Sequence, residues 1–310
     1  MMNYEEFKTQ LAEMVMEDYK KEAGKEITPR FLVVEKVNVT YDSLSIPVTE
    51  SLGINICLND YYEKYKEGAT LETIARRIVD IVLREISNIP NFDEAELRNY
   101  NAVKNKLVIE VISQKGNEAL LENLPHKDFL DLAIIYRIIV DENPRGRGSL
   151  IVSNSLMNEY EITAEQLHED ALENAITFKP LEIFNILAKL QEMYDIPDDE
   201  LENMETDFPM YTATVPGAIG GACVIAYPDF FEKAAEKCGG SFYLIPSSRH
   251  EVIFIPDEGN LDCAFYKSMI KEVNTFEVDP DDKLSDNLYH YDCQAKAFEI
   301  VEDYVARVQA

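Results

Sequence analysis

Asp131-Leu132-Ala133-Ile134-Ile135-Tyr136-Arg137-Ile138-Ile139-Val140-Asp141 decides the fold class. Between the two aspartates every residue except Arg137 is aliphatic or aromatic. No face is left polar, so the run reads as a central strand covered on both sides. Gly146-Arg147-Gly148 then turns the chain into Ser149-Leu150-Ile151-Val152, which predicts a hairpin.

Helical periodicity surrounds this strand. Phe7, Leu11, Val15 and Tyr19 recur at helical spacing over residues 4–22, with Gly24 as the stop. Residues 31–58 change to alternation, with turns expected at Asp42-Ser43 and Ser51-Leu52-Gly53, and predict a small antiparallel meander. A helix is expected over 61–66, and another after the N-cap Thr70, with Leu71, Ile74, Ala75, Ile78, Val79 and Val82 on one stripe. Residues 94–113 read as a longer helix and 117–123 as a short one. Thr163 opens a helix with Leu167, Ala171, Ala175 and Ile176 inward, and Pro180 opens the next.

Beyond residue 210 the expected order is strand (211–215), glycine turn, strand (222–227), helix (228–237), strands (242–246 and 252–256) and helix (261–273). A strand near 288–291 and a terminal helix over 295–308 complete it. The fold class is therefore α+β. A helical N-terminal part carries a small antiparallel sheet, and a C-terminal α+β lobe carries a mostly antiparallel sheet flanked by helices. Asp-, Glu- and Pro-rich residues 195–209 are expected to link an N-terminal lobe, 1–194, to a C-terminal lobe, 210–310.

The 310 residues are 46% hydrophobic, enough for one large domain or two ordinary ones. The charge is extreme: 29 Lys and Arg against 58 Asp and Glu give a net charge of −29. Such a field repels phosphate backbones and anionic lipid, which argues against direct nucleic-acid binding or a membrane surface. Residues 159–207 alone hold fifteen carboxylates against Lys179 and Lys189. This stretch reads as solvated helix faces or as an acidic surface for a basic protein, with Asp198, Asp199, Glu200 and Glu202 as candidate binding residues. The five cysteines are scattered, with no C-x-x-C pair, so a disulfide framework or zinc site is not expected. An acidic N-terminal stretch and the lack of a long apolar run predict cytoplasmic residence.

Gly220-Gly221-Ala222 before an apolar run, Phe242 to Pro246, Ser247-Ser248-Arg249-His250-Glu251, and Leu284 to Asp292 together carry a likeness. They resemble an uncharacterised family of acidic Gram-positive bacterial proteins, known as a domain of unknown function, in which a Pro-Ser-Ser-x-His-Glu motif recurs. The likeness spans essentially the whole chain, and a fainter one links the C-terminal lobe to a shorter uncharacterised family. Neither implies a reaction, a ligand or a cofactor.

Residues 247–251 place a hydroxyl, an imidazole, a guanidinium and a carboxylate in one short segment. In an extended strand Ser248 and His250 share one face while Arg249 and Glu251 share the other, which separates a Ser-His pair from its orienting acid. The leading expectation is a hairpin turn in which Arg249 pairs with Glu251 across the strands. The alternative is a hydrolase-like site with Ser248, His250 and Glu251 as catalytic candidates and Arg249 as an anion-binding group. His250, Glu251, His290 and Asp292 would suit a divalent ion if the chain brought them together. His250-Glu251 does not complete H-E-x-x-H, since position 254 is Phe. Ser268-Met269-Ile270-Lys271 lacks the partner motifs of a Ser-Lys enzyme, although Ser285-Asp286-Asn287 follows it. Gly217 to Gly221 has the wrong spacing for a phosphate loop, and Asp279 to Lys283 lacks the ligand positions of a calcium loop. No cofactor is expected. The favoured function is a non-catalytic interaction protein binding a basic partner, with nucleic-acid mimicry and the hydrolase as alternatives.

Overall fold

The Leu132–Asn143 run forms β6, the middle of an antiparallel sheet, as its two-sided apolar pattern requires. On one edge it pairs with β4 (Leu107–Ser113), and on the other with β5 (Lys127–Phe129) and β7 (Gly146–Ile151). The computed structural model describes residues 2–49, 52–89, 94–143, 146–194, 197 and 209–310. Its contacts divide the chain into two units, Met1–Asn91 and Phe92–Ala310.

In the first unit, helix α1 (Tyr4–Ala23) buries Phe7, Leu11, Val15 and Tyr19, the predicted stripe. Its N-cap Asn3 forms a capping box with Glu6, and Gly24 closes it at φ +67°. Strands β1 (Arg30–Lys36), β2 (Val39–Pro47) and β3 (Gly53–Cys57) make the expected meander. The first turn differs from expectation. Asp42 and Ser43 lie inside β2, and the chain reverses at Val37-Asn38, where Asn38 adopts φ +63°, a conformation its short polar side chain tolerates. Helices α2 (Leu58–Lys66) and α3 (Leu71–Asn88) follow, and the Thr70 hydroxyl caps α3 by accepting the Thr73 amide proton. Leu44, Ile46, Ile74, Ile78 and Val82 close the core of this unit against α1.

The second unit holds β6 and a six-stranded antiparallel sheet in the order β13-β12-β10-β11-β9-β8. Its strands are β8 (Glu182–Asn185), β9 (Tyr211–Thr214), β10 (Phe242–Ser248), β11 (Glu251–Pro256), β12 (Tyr289–Asp292) and β13 (Ala297–Ile300). One core runs through both sheets, from Leu107 and Ile138 to Phe242, Phe254 and Tyr289. β8 precedes the segment expected as a linker and β9 follows it, yet the two pair directly. Residues 195, 196 and 198–208 of the expected linker lie outside the described residues, and the contacts divide the chain near residue 91.

Several local expectations give way to the sheets. Residues 94–113 are two short helices, Glu94–Leu97 and Tyr100–Val103, and then β4, which is buried from Leu107 to Ile112. Its β-branched residues on both faces suit a two-sided strand better than a helix. Pro180 leads into β8, which supplies an edge to β9, and the helix begins only at Ile186. Residues 221–226 coil into a buried 3-10 turn rather than a strand. The C-terminal segment first adds β13 to the sheet, through a turn with Lys296 at φ +51°, and the helix is confined to Val301–Gln309. Thr163 caps the helix Ala164–Phe178 as expected, with Leu167, Ala171 and Ala175 buried, but Ile176 is exposed. Among the described residues no helix is long and apolar enough to cross a membrane.

Candidate functional site

β10 and β11 form the expected hairpin, with Ser248 opposite Glu251 and a register shift after Ile245. Arg249 and His250 are its turn. The Ser248 hydroxyl accepts the backbone N–H of His250 at 3.0 Å, the local serine bond common in turns. The imidazole is engaged at both nitrogens. His250 Nδ1 accepts the Gly220 N–H at 3.1 Å, and Nε2 lies 3.0 Å from Asp282 Oδ1. An Nδ1 that accepts must be unprotonated, so the proton sits on Nε2 and is donated to Asp282.

The backbone of the turn is equally committed. The carbonyl oxygen of His250 accepts the Thr214 hydroxyl at 2.7 Å, that of Arg249 accepts the Ala222 N–H at 3.1 Å, and the Arg249 N–H donates to the carbonyl of Asp282 at 2.8 Å. Gly220, at φ +68°, starts the 3-10 turn, and Gly221 packs so closely that a Cβ there would fall on Thr214 Oγ1 and the His250 carbonyl oxygen. Three segments distant in sequence, 214–222, 249–250 and 282, thus meet at His250.

The Arg249 side chain does not pair with Glu251. It reaches Glu110, whose Oε1 lies 3.3 Å from Arg249 Nη2, while Arg137 Nε binds Glu110 Oε2. Arg137 also donates to the Ser149 hydroxyl at 3.2 Å. Glu110 is 6% exposed on β4, and two guanidinium groups supply the opposite charge that a buried carboxylate needs. Arg249 Nε has no hydrogen-bond partner. The arrangement ties the β10–β11 turn to the four-stranded sheet.

The four metal candidates do not converge. His290 lies in β12 opposite Tyr243, near the start of β10, whereas His250 lies beyond the end of that strand. His290 Nε2 is 2.9 Å from Asp257 Oδ2, its ring stacks on Tyr304 at 3.6 Å between centroids, and its Nδ1 has no hydrogen-bond partner. Burial lowers the His290 pKa from its ordinary value, against the opposing pull of Asp257 and Asp292. Asp292 instead caps the turn to Ala295 and pairs with Arg307. The backbone N–H of Ala295 and then Arg307 hold its carboxyl below the usual range. Glu251 heads β11, and no group of three or more metal-ligating side chains gathers among the described residues. Asp198, Asp199, Glu200 and Glu202 lie outside the described residues.

Sequence reasoning missed the groups that anchor these residues: Gly220, Asp282, Glu110, Asp257 and Tyr304. It also missed a cluster around Asp131, whose carboxylate accepts Ser285 Oγ at 2.7 Å, Asn287 Nδ2 at 3.0 Å and Tyr289 Oη at 2.7 Å. Ser285-Asp286-Asn287, a fragment of an enzyme signature within the Leu284 to Asp292 stretch that carries the family likeness, supplies two of these donors. Asn274 donates to the Ser285 carbonyl at 2.9 Å and so holds the loop in place.

No curated protein and no solved structure matches the chain. A family model described as a family of unknown function (DUF5688) matches residues 4–293. The chain belongs to that family.

Proposed function

We propose that the chain is a cytoplasmic, non-catalytic interaction protein of a Gram-positive bacterium, whose carboxylate-rich surface binds a basic protein. The observation that carries this is the excess of 58 acidic over 29 basic residues, a net charge of −29. A field of that sign steers and holds cationic surfaces.

The helix Ala164–Phe178 supports it locally. Glu165, Glu169 and Glu173 are exposed at four-residue spacing, with Glu161 exposed just ahead of the helix. Four helical residues rise by about 6 Å, so these carboxylates form one row. Like charges at this spacing cost about 0.2–0.5 kcal/mol per pair, a repulsion that a cationic partner would relieve. The opposite face is fixed in the core through Leu167, Ala171 and Ala175. Both His250 nitrogens and the Ser248 hydroxyl hold backbone or carboxylate partners, which favours a structural role over proton transfer for the most reactive-looking segment.

The test is affinity capture from a bacterial lysate at about 50 mM and about 300 mM salt, a range over which exposed charge pairs are progressively screened. Wild type should retain a basic protein at low salt, and a variant carrying Glu161→Gln, Glu165→Gln, Glu169→Gln and Glu173→Gln should retain less of it. Equal retention by both, or retention insensitive to salt, contradicts the proposal. Release of the captured protein by added duplex DNA would point to mimicry of a phosphate backbone.

A further inference from the structure

Strand β1 is the outer strand of its sheet, paired with β2 along one edge and, among the described residues, with no strand along the other. Its apolar side chains stand out on both faces, with Phe31 49%, Leu32 47% and Val33 65% exposed. Residues directly opposite each other in an antiparallel pair share a face, and Phe31 stands opposite Leu44, which is fully buried. The apolar layer of the first unit therefore runs out to β1 and ends there uncovered. Natural sheets ordinarily guard an open edge with a central charge, a proline or a bulge. β1 has none of these: its register against β2 is unbroken, Pro29 precedes the strand, and Arg30, Glu35 and Lys36 lie toward its ends.

We propose that β1 is the pairing edge for a second copy of the chain, joined antiparallel about a two-fold axis at Leu32. Such an axis sets one residue opposite its own copy and the flanking residues opposite each other in reverse order. Centred on Leu32, it places Leu32 on Leu32, Phe31 on Val33 and Arg30 on Val34, so the apolar run meets itself and no charge meets its like. Centred on Val33 it would set Arg30 against Lys36, and centred on Val34 it would set Leu32 against Lys36 and Val33 against Glu35. Charge favours a copy at this edge as well. Residues 1–91 hold 11 basic and 16 acidic side chains, which is only −5 of the net −29, and β1 itself is +1. The edge thus lies in the part of the chain least repelled by its own copy, and its slight positive charge does not suit a basic partner. The inference is independent of the proposed function, because the row from Glu161 to Glu173 lies in the second unit.

The experiment is sedimentation equilibrium of the whole chain at about 150 mM and about 500 mM salt. A seven-residue edge falls below the roughly 1,200 Å2 of stable interfaces, so the expected result is a reversible dimer with a Kd of about 10–100 µM. Higher salt should tighten it by about threefold, because it screens the repulsion between two chains of −29 each, whereas it loosens a basic partner. Leu32→Lys and Leu32→Glu each set like charges face to face and should each weaken self-association at least about tenfold. Both change an exposed side chain and should fold, which circular dichroism verifies. An equimolar mixture of the two variants sets opposite charges face to face and should associate at least about tenfold more tightly than either variant alone. A wild-type chain still monomeric at about 300 µM overturns the proposal. A dimer that both variants leave intact overturns it too, as does a mixture of the two that stays monomeric.

Discussion

His250 Nδ1 accepts the Gly220 amide proton at 3.1 Å, which joins the β10–β11 turn to the glycine turn thirty residues earlier. The contact requires the two backbones to lie almost against each other, and Gly221 is the residue that permits it. A Cβ at 221 would collide with Thr214 Oγ1 and the His250 carbonyl oxygen, both held by hydrogen bonding to each other. Gly221→Ala should therefore destabilise the second unit by about 3 kcal/mol, in the upper range for a single substitution. Urea unfolding followed by circular dichroism measures it. A loss below about 1 kcal/mol would mean that the two turns do not approach this closely.

Asp131 should behave as a structural hub. Three donors, from Ser285, Asn287 and Tyr289, converge on its carboxylate, and Tyr289 is fully buried. Burial and then the Asp131 charge push the Tyr289 hydroxyl well above its ordinary range, so it remains a donor. Asp131→Ala leaves these donors without an acceptor and should cost about 2–4 kcal/mol. Asp131→Asn keeps one acceptor oxygen and should cost about 1–2 kcal/mol. Equal losses for the two variants in urea unfolding would contradict this account.

The fold class was legible because β6 and α1 carry unambiguous patterns: one is apolar on both faces, and the other repeats at helical spacing. β4 was misread because Leu107 to Ile112, with Glu110 inside, fits a buried helix as well as a strand, and only pairing with β6 distinguishes them. β8 and β13 are short and partly exposed, so their strand character comes from their neighbours β9 and β12 rather than from propensity. The 247–251 turn was legible as a hairpin, but its partners were not. Glu110, Gly220 and Asp282 come from three remote segments, and no local spacing encodes that meeting.

His290 should make stability depend on pH. Tyr243, Asp257, Cys263, Asp292, Glu299, Tyr304 and Arg307 surround it from the strands, loop and helices packed nearby. Burial, the largest effect, lowers its folded pKa below the unfolded value of about 6.5, so the unfolded chain binds more protons in the interval between the two. The stability contributed by neutral His290 is fully present above that interval and is lost as the pH falls through it. Thermal melts at about pH 7.5 and about pH 5.5 should show a smaller acid-induced drop in Tm for His290→Gln than for wild type. Parallel drops would show that His290 does not titrate differently on folding.

Asp170 predicts a second, more acidic transition. Burial alone would raise its carboxyl, but hydrogen bonds from Tyr100, Lys104 and Gln166 and the charge of Lys104 together lower it. A lowered carboxyl stabilises the fold above its unfolded pKa of about 3.9 and loses that contribution as the pH falls through the folded value. Asp170→Asn should flatten the stability loss below about pH 4 and lower stability at neutral pH by about 1–3 kcal/mol. Acid titration of both proteins by circular dichroism checks the sign, and an unchanged acid limb contradicts it.

The central claim, that residues 247–251 form a structural junction, is tested most directly by nitrogen NMR of the His250 imidazole at neutral pH. The account predicts a single neutral tautomer with the proton on Nε2, an Nδ1 that accepts, and a Gly220 amide protected from exchange. A proton on Nδ1, or a Gly220 amide that exchanges as freely as an exposed loop, would contradict it.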